Sequence, residues 1–233
     1  MIQTSGHQGE KGTTKARHRI LVVDDHPVTR LGLSALIGRE RDLVVCGEAG
    51  GSPAAVELVP RLAPDLAIVD LAHGTMGGIE LIRSIKMLRP QTRVLVMSMQ
   101  DENYYAERAL RAGAAGYIMK RQPLGDIIAA VRRVLAGELY LSEVMREKML
   151  HRVVKSSREE VVFSVETLTD REMEVFHLIG NGYRTLQIAA KLHLSAKTID
   201  SHRENLKRKL GVVSGNDLVR HAIQWVRSEY LAT

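Results

Sequence analysis

The chain has 233 residues, with 33 Lys and Arg against 27 Asp and Glu, a formal net charge of +6, and 4% aromatic residues. That balance describes a globular chain, and the length suits one large domain or two small ones. A single cysteine, Cys46, excludes a disulfide framework and every zinc site that needs two thiolates, and no apolar stretch approaches the ~18 residues of a membrane span.

Residues 1–17 are rich in Gly, Thr, Gln and Lys and lack the apolar core of a secretory signal, so a disordered tail is expected. With one thiol, sitting in the apolar run Leu43-Val44-Val45, the setting expected is a reducing cytoplasm. From Arg19 to Gly137, short apolar runs alternate with amphipathic stretches. The runs are Ile20–Val23, Leu43–Cys46, Leu66–Val69, Val94–Met97 and Gly116–Met119. Near-continuous apolarity suits strands buried on both faces of a parallel sheet. Helices are expected over Val28–Gly38, Pro53–Leu62, Gly78–Leu88, Tyr104–Ala112 and Leu124–Leu135. Five such units predict an α/β fold, a flavodoxin-like doubly wound five-stranded sheet in the order 2-1-3-4-5.

Residues 138–166 are charge-dense and read as a linker whose first half is helical. From 167 to 233 the pattern is purely helical and predicts an all-α four-helix domain. Thr169-Asp170-Arg171-Glu172 is a capping box. A short helix over Leu186–Leu192 is followed, after His193-Leu194, by one that Ser195 can cap and that stops at Gly211. Ser214-Gly215-Asn216-Asp217 opens the last helix. Two helices joined by so tight a turn suit a helix-turn-helix.

In an open parallel sheet, ligands bind beyond the carboxyl ends of the strands. Asp24 and Asp25 close the first strand, Asp70 the third and Ser98 the fourth, while Lys120 follows the fifth. Taken singly, an Asp at a strand end is an ordinary cap or turn residue. Taken together on neighbouring strands, the three carboxylates repel one another and invite a hard divalent cation. Mg²⁺ with phosphoryl oxygens fits that oxygen-rich set, and one carboxylate can serve as nucleophile.

These residues also carry a resemblance. Val23-Asp24-Asp25-His26-Pro27, Ile68-Val69-Asp70-Leu71, Val96-Met97-Ser98-Met99 and Gly113-Ala114-Ala115-Gly116-Tyr117-Ile118-Met119-Lys120 make residues 18–137 similar to a receiver domain of two-component response regulators. The resemblance implies that Asp70 accepts a phosphoryl group from a sensor histidine kinase. It further implies that Asp24, Asp25, Asp70 and the Ala72 backbone carbonyl hold Mg²⁺, that Ser98 and Lys120 meet the phosphoryl group, and that Tyr117 is the switch aromatic. The segment Ala72-His73-Gly74-Thr75-Met76-Gly77-Gly78 departs from the usual Met-Pro-Gly pattern. That departure motivates an alternative, a receiver that regulates without phosphorylation. An aspartyl-phosphate phosphatase would need a second Asp at position 72, where Ala72 stands, so no enzyme is expected.

In the C-terminal part, the helix after the turn carries five basic residues against Asp200 and Glu204 within 197–209. Leu168-Thr169-Asp170-Arg171-Glu172, Ile188-Ala189-Ala190-Lys191-Leu192, Thr198-Ile199-Asp200-Ser201-His202-Arg203 and Lys209-Leu210-Gly211-Val212 resemble the LuxR-type DNA-binding domain. The two halves together resemble a NarL/FixJ-type transcriptional regulator. On that resemblance Asp200, Ser201 and Glu204 face bases, while Lys197, Thr198, His202, Arg203 and Lys207 mainly hold phosphates. Leu218, Ala222, Trp225 and Val226 read equally as a core stripe or as part of a homodimer face on an inverted-repeat operator. Neither a membrane nor a small-molecule substrate is expected as a partner.

Overall fold

The computed structural model describes residues 17–71, 77–155 and 165–231. The expected tail, apart from Arg17, and Ala72 with its carbonyl lie outside those residues.

Five strands alternate with five helices along the first part of the chain: β1 His18–Val23, α1 Pro27–Gly38, β2 Leu43–Ala49, α2 Ser52–Leu62, β3 Leu66–Val69, α3 Gly78–Leu88, β4 Arg93–Ser98, α4 Glu102–Arg111, β5 Gly116–Met119 and α5 Leu124–Leu135. The sheet order is β2-β1-β3-β4-β5, every pair parallel. This is the doubly wound arrangement that the apolar runs predict. β3 and β5 are buried along their whole length. One apolar cluster packs α1 and α5 on one face, around Ile20, Leu33, Ile37, Leu95, Ile127 and Val131. The opposite face is covered by α2, α3 and α4 through Val59, Ile82, Ile85 and Ala106. Cys46 lies in β2 and is partly buried, with burial pushing its thiol pKa up, which suits an inert thiol better than a nucleophile.

The helices start where the sequence supplies a start. Pro27 and Pro53 occupy first-turn positions of α1 and α2, where the missing N–H costs nothing. Asp101 caps α4 by accepting from the Asn103 N–H at 2.8 Å. Gly78 opens α3 beside Leu71, and an added Cβ would come 2.5 Å from the Leu71 Cα.

Residues beyond 137 do not leave the sheet at once. The Tyr117 N–H donates to the Tyr140 carbonyl at 2.8 Å and the Tyr140 N–H to the Ala115 carbonyl at 3.1 Å, against the edge of β5. Leu141 and Met145 are buried in the same core, and α6 runs from Glu143 to Lys155.

The C-terminal part begins with a 3-10 turn at Val165–Thr167, followed by α7 Asp170–Gly180, α8 Thr185–Leu192, α9 Ala196–Leu210 and α10 Gly215–Leu231. Both arms of the capping box form at α7: Thr169 Oγ1 accepts from the Glu172 N–H, and Glu172 Oε2 accepts from the Thr169 N–H at 2.8 Å. Ser195 Oγ accepts from the Thr198 N–H at 3.0 Å to cap α9, and Gly211 ends it at φ +66°, the left-handed turn that glycine takes without strain. His193 adopts the same region at φ 49° and turns α8 into α9.

Candidate functional site: an acidic pocket and an exposed helix

The strand ends bring the acidic set together. Asp24 and Asp70 are both 1% exposed, and the Lys120 Nζ lies 2.7 Å from Asp24 Oδ2 and 2.5 Å from Asp70 Oδ2. Burial alone would lower the pKa of this ammonium; the adjoining Asp70 and Asp24 carboxylates outweigh it and hold the group above the ordinary lysine value. Asp24 Oδ2 is buried and, although ion-paired, receives no well-directed hydrogen bond. Two buried carboxylates share one cation, so the pocket keeps a negative excess. Asp25 is exposed at the rim.

One oxygen each from Asp24, Asp25 and Asp70 and one nitrogen of His26 all lie within 4.8 Å of one another. Opposite ligands of an octahedral Mg²⁺ are about 4.2 Å apart, so small side-chain shifts bring the three carboxylates to coordination distance. His26 was not singled out by sequence, because nothing in the spacing of a residue just after a strand says which way its ring turns.

Ser98 is fully buried beside the carboxylates, its hydroxyl accepting from the Gln100 N–H at 3.2 Å. Tyr117 is 1% exposed, and its hydroxyl donates to the Gln100 carbonyl at 2.8 Å. Burial pushes the phenol well above its ordinary pKa, so it remains a neutral donor. Ser98 and Tyr117 thus meet the same short segment after β4.

The second candidate surface is α9. Ile199, Leu206 and Leu210 are buried, while Lys197, Asp200, Ser201, Glu204 and Arg208 are exposed along one stripe. Thr198, His202, Arg203 and Lys207 flank the stripe and are half-buried. Burial, with Arg171 nearby, lowers the His202 pKa, leaving it neutral at pH 7. Lys207 pairs with Glu204 at 2.9 Å, and the Ser201 hydroxyl donates to the Lys197 carbonyl at 3.0 Å. Lys209 is only partly exposed and turns inward. Its Nζ lies 2.6 Å from Oε2 of the buried Glu172, so part of the helix's basic excess neutralises an acid in the core.

The stripe read equally as core or as part of a dimer face is buried within the chain. Leu218 and Ala222 are 0% exposed, Val226 4% and Trp225 7%. They close on α7, where an added Cβ on Gly180 would meet Val226 Cγ2 at 2.4 Å and the Ala222 carbonyl oxygen at 2.5 Å.

Trp225 also reaches the first domain, its ring 5.2 Å from that of Tyr104 on α4. Asp170, at the start of α7, receives Arg83 from α3 at 2.6 Å and Arg108 from α4 at 3.2 Å. Glu174 lies over Gly77, and burial raises its carboxyl pKa against the pull of Arg171. None of these contacts had a sequence signal, since the partners are far apart in the chain and follow no period. The helix α9 packs mainly on α7, α8, α10 and the 3-10 turn, so the docked first domain leaves its polar stripe uncovered.

A five-stranded parallel sheet with carboxylates, a hydroxyl and an ammonium at its strand ends, joined to a helix-turn-helix, defines a phosphorylation-type receiver with a DNA-binding output. Comparison with known families matches residues 20–132 to the response regulator receiver domain and residues 166–222 to the bacterial regulatory proteins of the luxR family. The chain belongs to the LuxR-type response regulators and is a DNA-binding transcriptional regulator. It is 36% identical over 206 residues to the response regulator protein VraR of Staphylococcus aureus, covering 88% of this chain and 96% of that protein. Among solved structures, a LuxR-family two-component response regulator from Aurantimonas is 31% identical with a TM-score of 0.56, covering 60% of this chain and 100% of its own. RcsB of Salmonella enterica serovar Typhimurium, bound to promoter DNA in the presence of phosphomimetic BeF3-, is 25% identical with a TM-score of 0.66, covering 88% and 98%.

Proposed function

We propose that Asp70 is the phosphoacceptor of a two-component phosphorelay and that its phosphorylation by a sensor histidine kinase switches DNA binding by residues 167–233. The observation that carries this reading is the Lys120 ammonium held 2.5 Å from Asp70 Oδ2 at the buried end of β3. In the transfer, an Asp70 oxygen attacks phosphorus, the bond from phosphorus to the kinase imidazole nitrogen breaks, and the imidazole leaves with the electron pair. Lys120 then exchanges a carboxylate oxygen for a phosphoryl oxygen, and the Ser98 hydroxyl donates to another. Asp24, Asp25 and Asp70, with the Ala72 carbonyl, would hold Mg²⁺, which neutralises charge as the phosphoryl group arrives.

The aspartyl phosphate adds nearly two negative charges beside Ser98, and through Gln100 this change reaches Tyr117. The domains extend over 18–137 and 167–233, joined by 138–166, in a cytoplasmic protein that turns over no substrate. Lys197, Thr198, His202, Arg203 and Lys207 hold DNA phosphates and Asp200, Ser201 and Glu204 meet bases of an inverted-repeat operator, bound by a homodimer.

Acetyl phosphate with Mg²⁺ tests the reading: it should label the wild type and raise its operator affinity, and Asp70→Asn should show neither effect. Equal labelling of the variant refutes Asp70 as acceptor. Operator affinity that ignores the phosphodonor in the wild type means regulation without phosphorylation.

A further inference from the structure

His26 is the one member of the metal-ligand cluster that the magnesium reading leaves without a role. Its backbone N–H donates to Asp24 Oδ1 at 2.8 Å, which fixes the residue at the mouth of the pocket. Its Nδ1 lies 2.7 Å from Asp25 Oδ1 and 3.3 Å from Asp24 Oδ1. As the residue preceding α1 it makes no side-chain capping bond, and its side chain is 66% exposed. The ring is therefore turned onto the acids without being packed in place, free to exchange a carboxylate contact for a metal bond.

From this geometry we infer that His26 is a nitrogen ligand that makes the pocket a site for borderline divalent ions, Zn²⁺ above all, in competition with Mg²⁺. This inference rests on the proposed magnesium site and names a further ligand there. Mg²⁺ takes oxygen and gains little from an imidazole, whereas Zn²⁺ takes imidazole nitrogen readily. One oxygen from each of Asp24, Asp25 and Asp70 with the His26 nitrogen makes four donors, the number that closes a tetrahedral zinc site. A closed site has no position left for a phosphoryl oxygen, so the zinc-loaded protein refuses the phosphoryl group that the magnesium-loaded protein accepts.

The experiment uses the full chain and its His26→Gln variant. Calorimetric titration should show Mg²⁺ binding equally to both and Zn²⁺ binding more weakly to the variant, by about tenfold or more, the scale on which even outer partners of a metal site act. Pulsed EPR of wild type loaded with one equivalent of Cu²⁺, which like Zn²⁺ takes imidazole nitrogen, should show coupling to an imidazole nitrogen that is lost in His26→Gln. Added Zn²⁺ should suppress labelling by acetyl phosphate in the wild type at concentrations that the variant withstands. Equal Zn²⁺ affinity of the two proteins, or no nitrogen coupling in the wild type, overturns the role of His26 while leaving the magnesium site standing. Mg²⁺ binding that survives Asp25→Asn unchanged overturns both.

Discussion

The acidic pocket and the helix α9 are both dense in charge, but they hold it in opposite ways. In the pocket, Asp24 and Asp70 are withdrawn from water and share one ammonium, so each charge is felt strongly by its neighbours. Along α9, Lys197, Asp200 and Glu204 stand in solvent, where their mutual effects are screened and small. The difference separates two tasks. A buried set with a negative excess responds to the arrival of one small charged group, whereas an exposed set can meet the extended phosphate track of a duplex. Even α9 follows the first rule where it turns inward, since Lys209 pairs with buried Glu172.

The sharpest test of the contrast is Lys120→Met. It leaves two buried carboxylates facing each other, and chemical denaturation in metal-free buffer should show a loss of about 3–5 kcal/mol. Mg²⁺ should recover part of it. A loss below about 1 kcal/mol would mean that the pocket is wet and its charges screened.

A smaller effect should come from His177 on α7, whose imidazole burial pushes down from 6.5 to about 4. A base with a depressed folded pKa contributes stability above 6.5 that is lost as pH falls toward 4. Acidification from pH 7 to 4 should therefore cost about 2–3 kcal/mol through this group. Replacing it in His177→Asn should flatten that part of the pH profile. Trp225 stands 6.1 Å away and is the chain's only tryptophan, so its emission reports the transition.

Lys197→Ala should weaken operator binding with little change in sequence preference, and lower the slope of log affinity against log salt by about 1. An unchanged slope would remove Lys197 from the phosphate contacts. The smallest expected effect is on folding stability in Asp170→Ala, which removes the acceptor of Arg83 and Arg108; partly exposed pairs of this kind contribute about 1 kcal/mol or less.

Sequence legibility divides along the same line. Asp24, Asp25, Asp70, Ser98 and Lys120 could be read because each follows an apolar run whose strand places it at one end of the sheet. The caps at Thr169 and Ser195 could be read because a cap and its partner lie three residues apart. Lys209 and Glu172 could not, since charge in a basic helix does not say which cations turn inward. The Arg83–Asp170–Arg108 contact and the Tyr104–Trp225 pair join helices of different domains, and no period in the chain links them. The stripe on α10 was legible as apolar, but what covers it was not: α7 and Tyr104 do, where a second copy was the other candidate.

The backbone bonds of Tyr140 to β5 carry a consequence for protecting the sheet. β5 is an edge strand, and an uncovered edge is a template for pairing with another chain. Residues 115–117 use their outward-facing groups on Tyr140 instead. A receiver truncated at Gly137 would bare that flank and lose the burial of Leu141 and Met145, exposing an adhesive margin. Retaining residues 138–155 keeps the margin covered, so the segment after the receiver is a guard against aggregation as well as a connection.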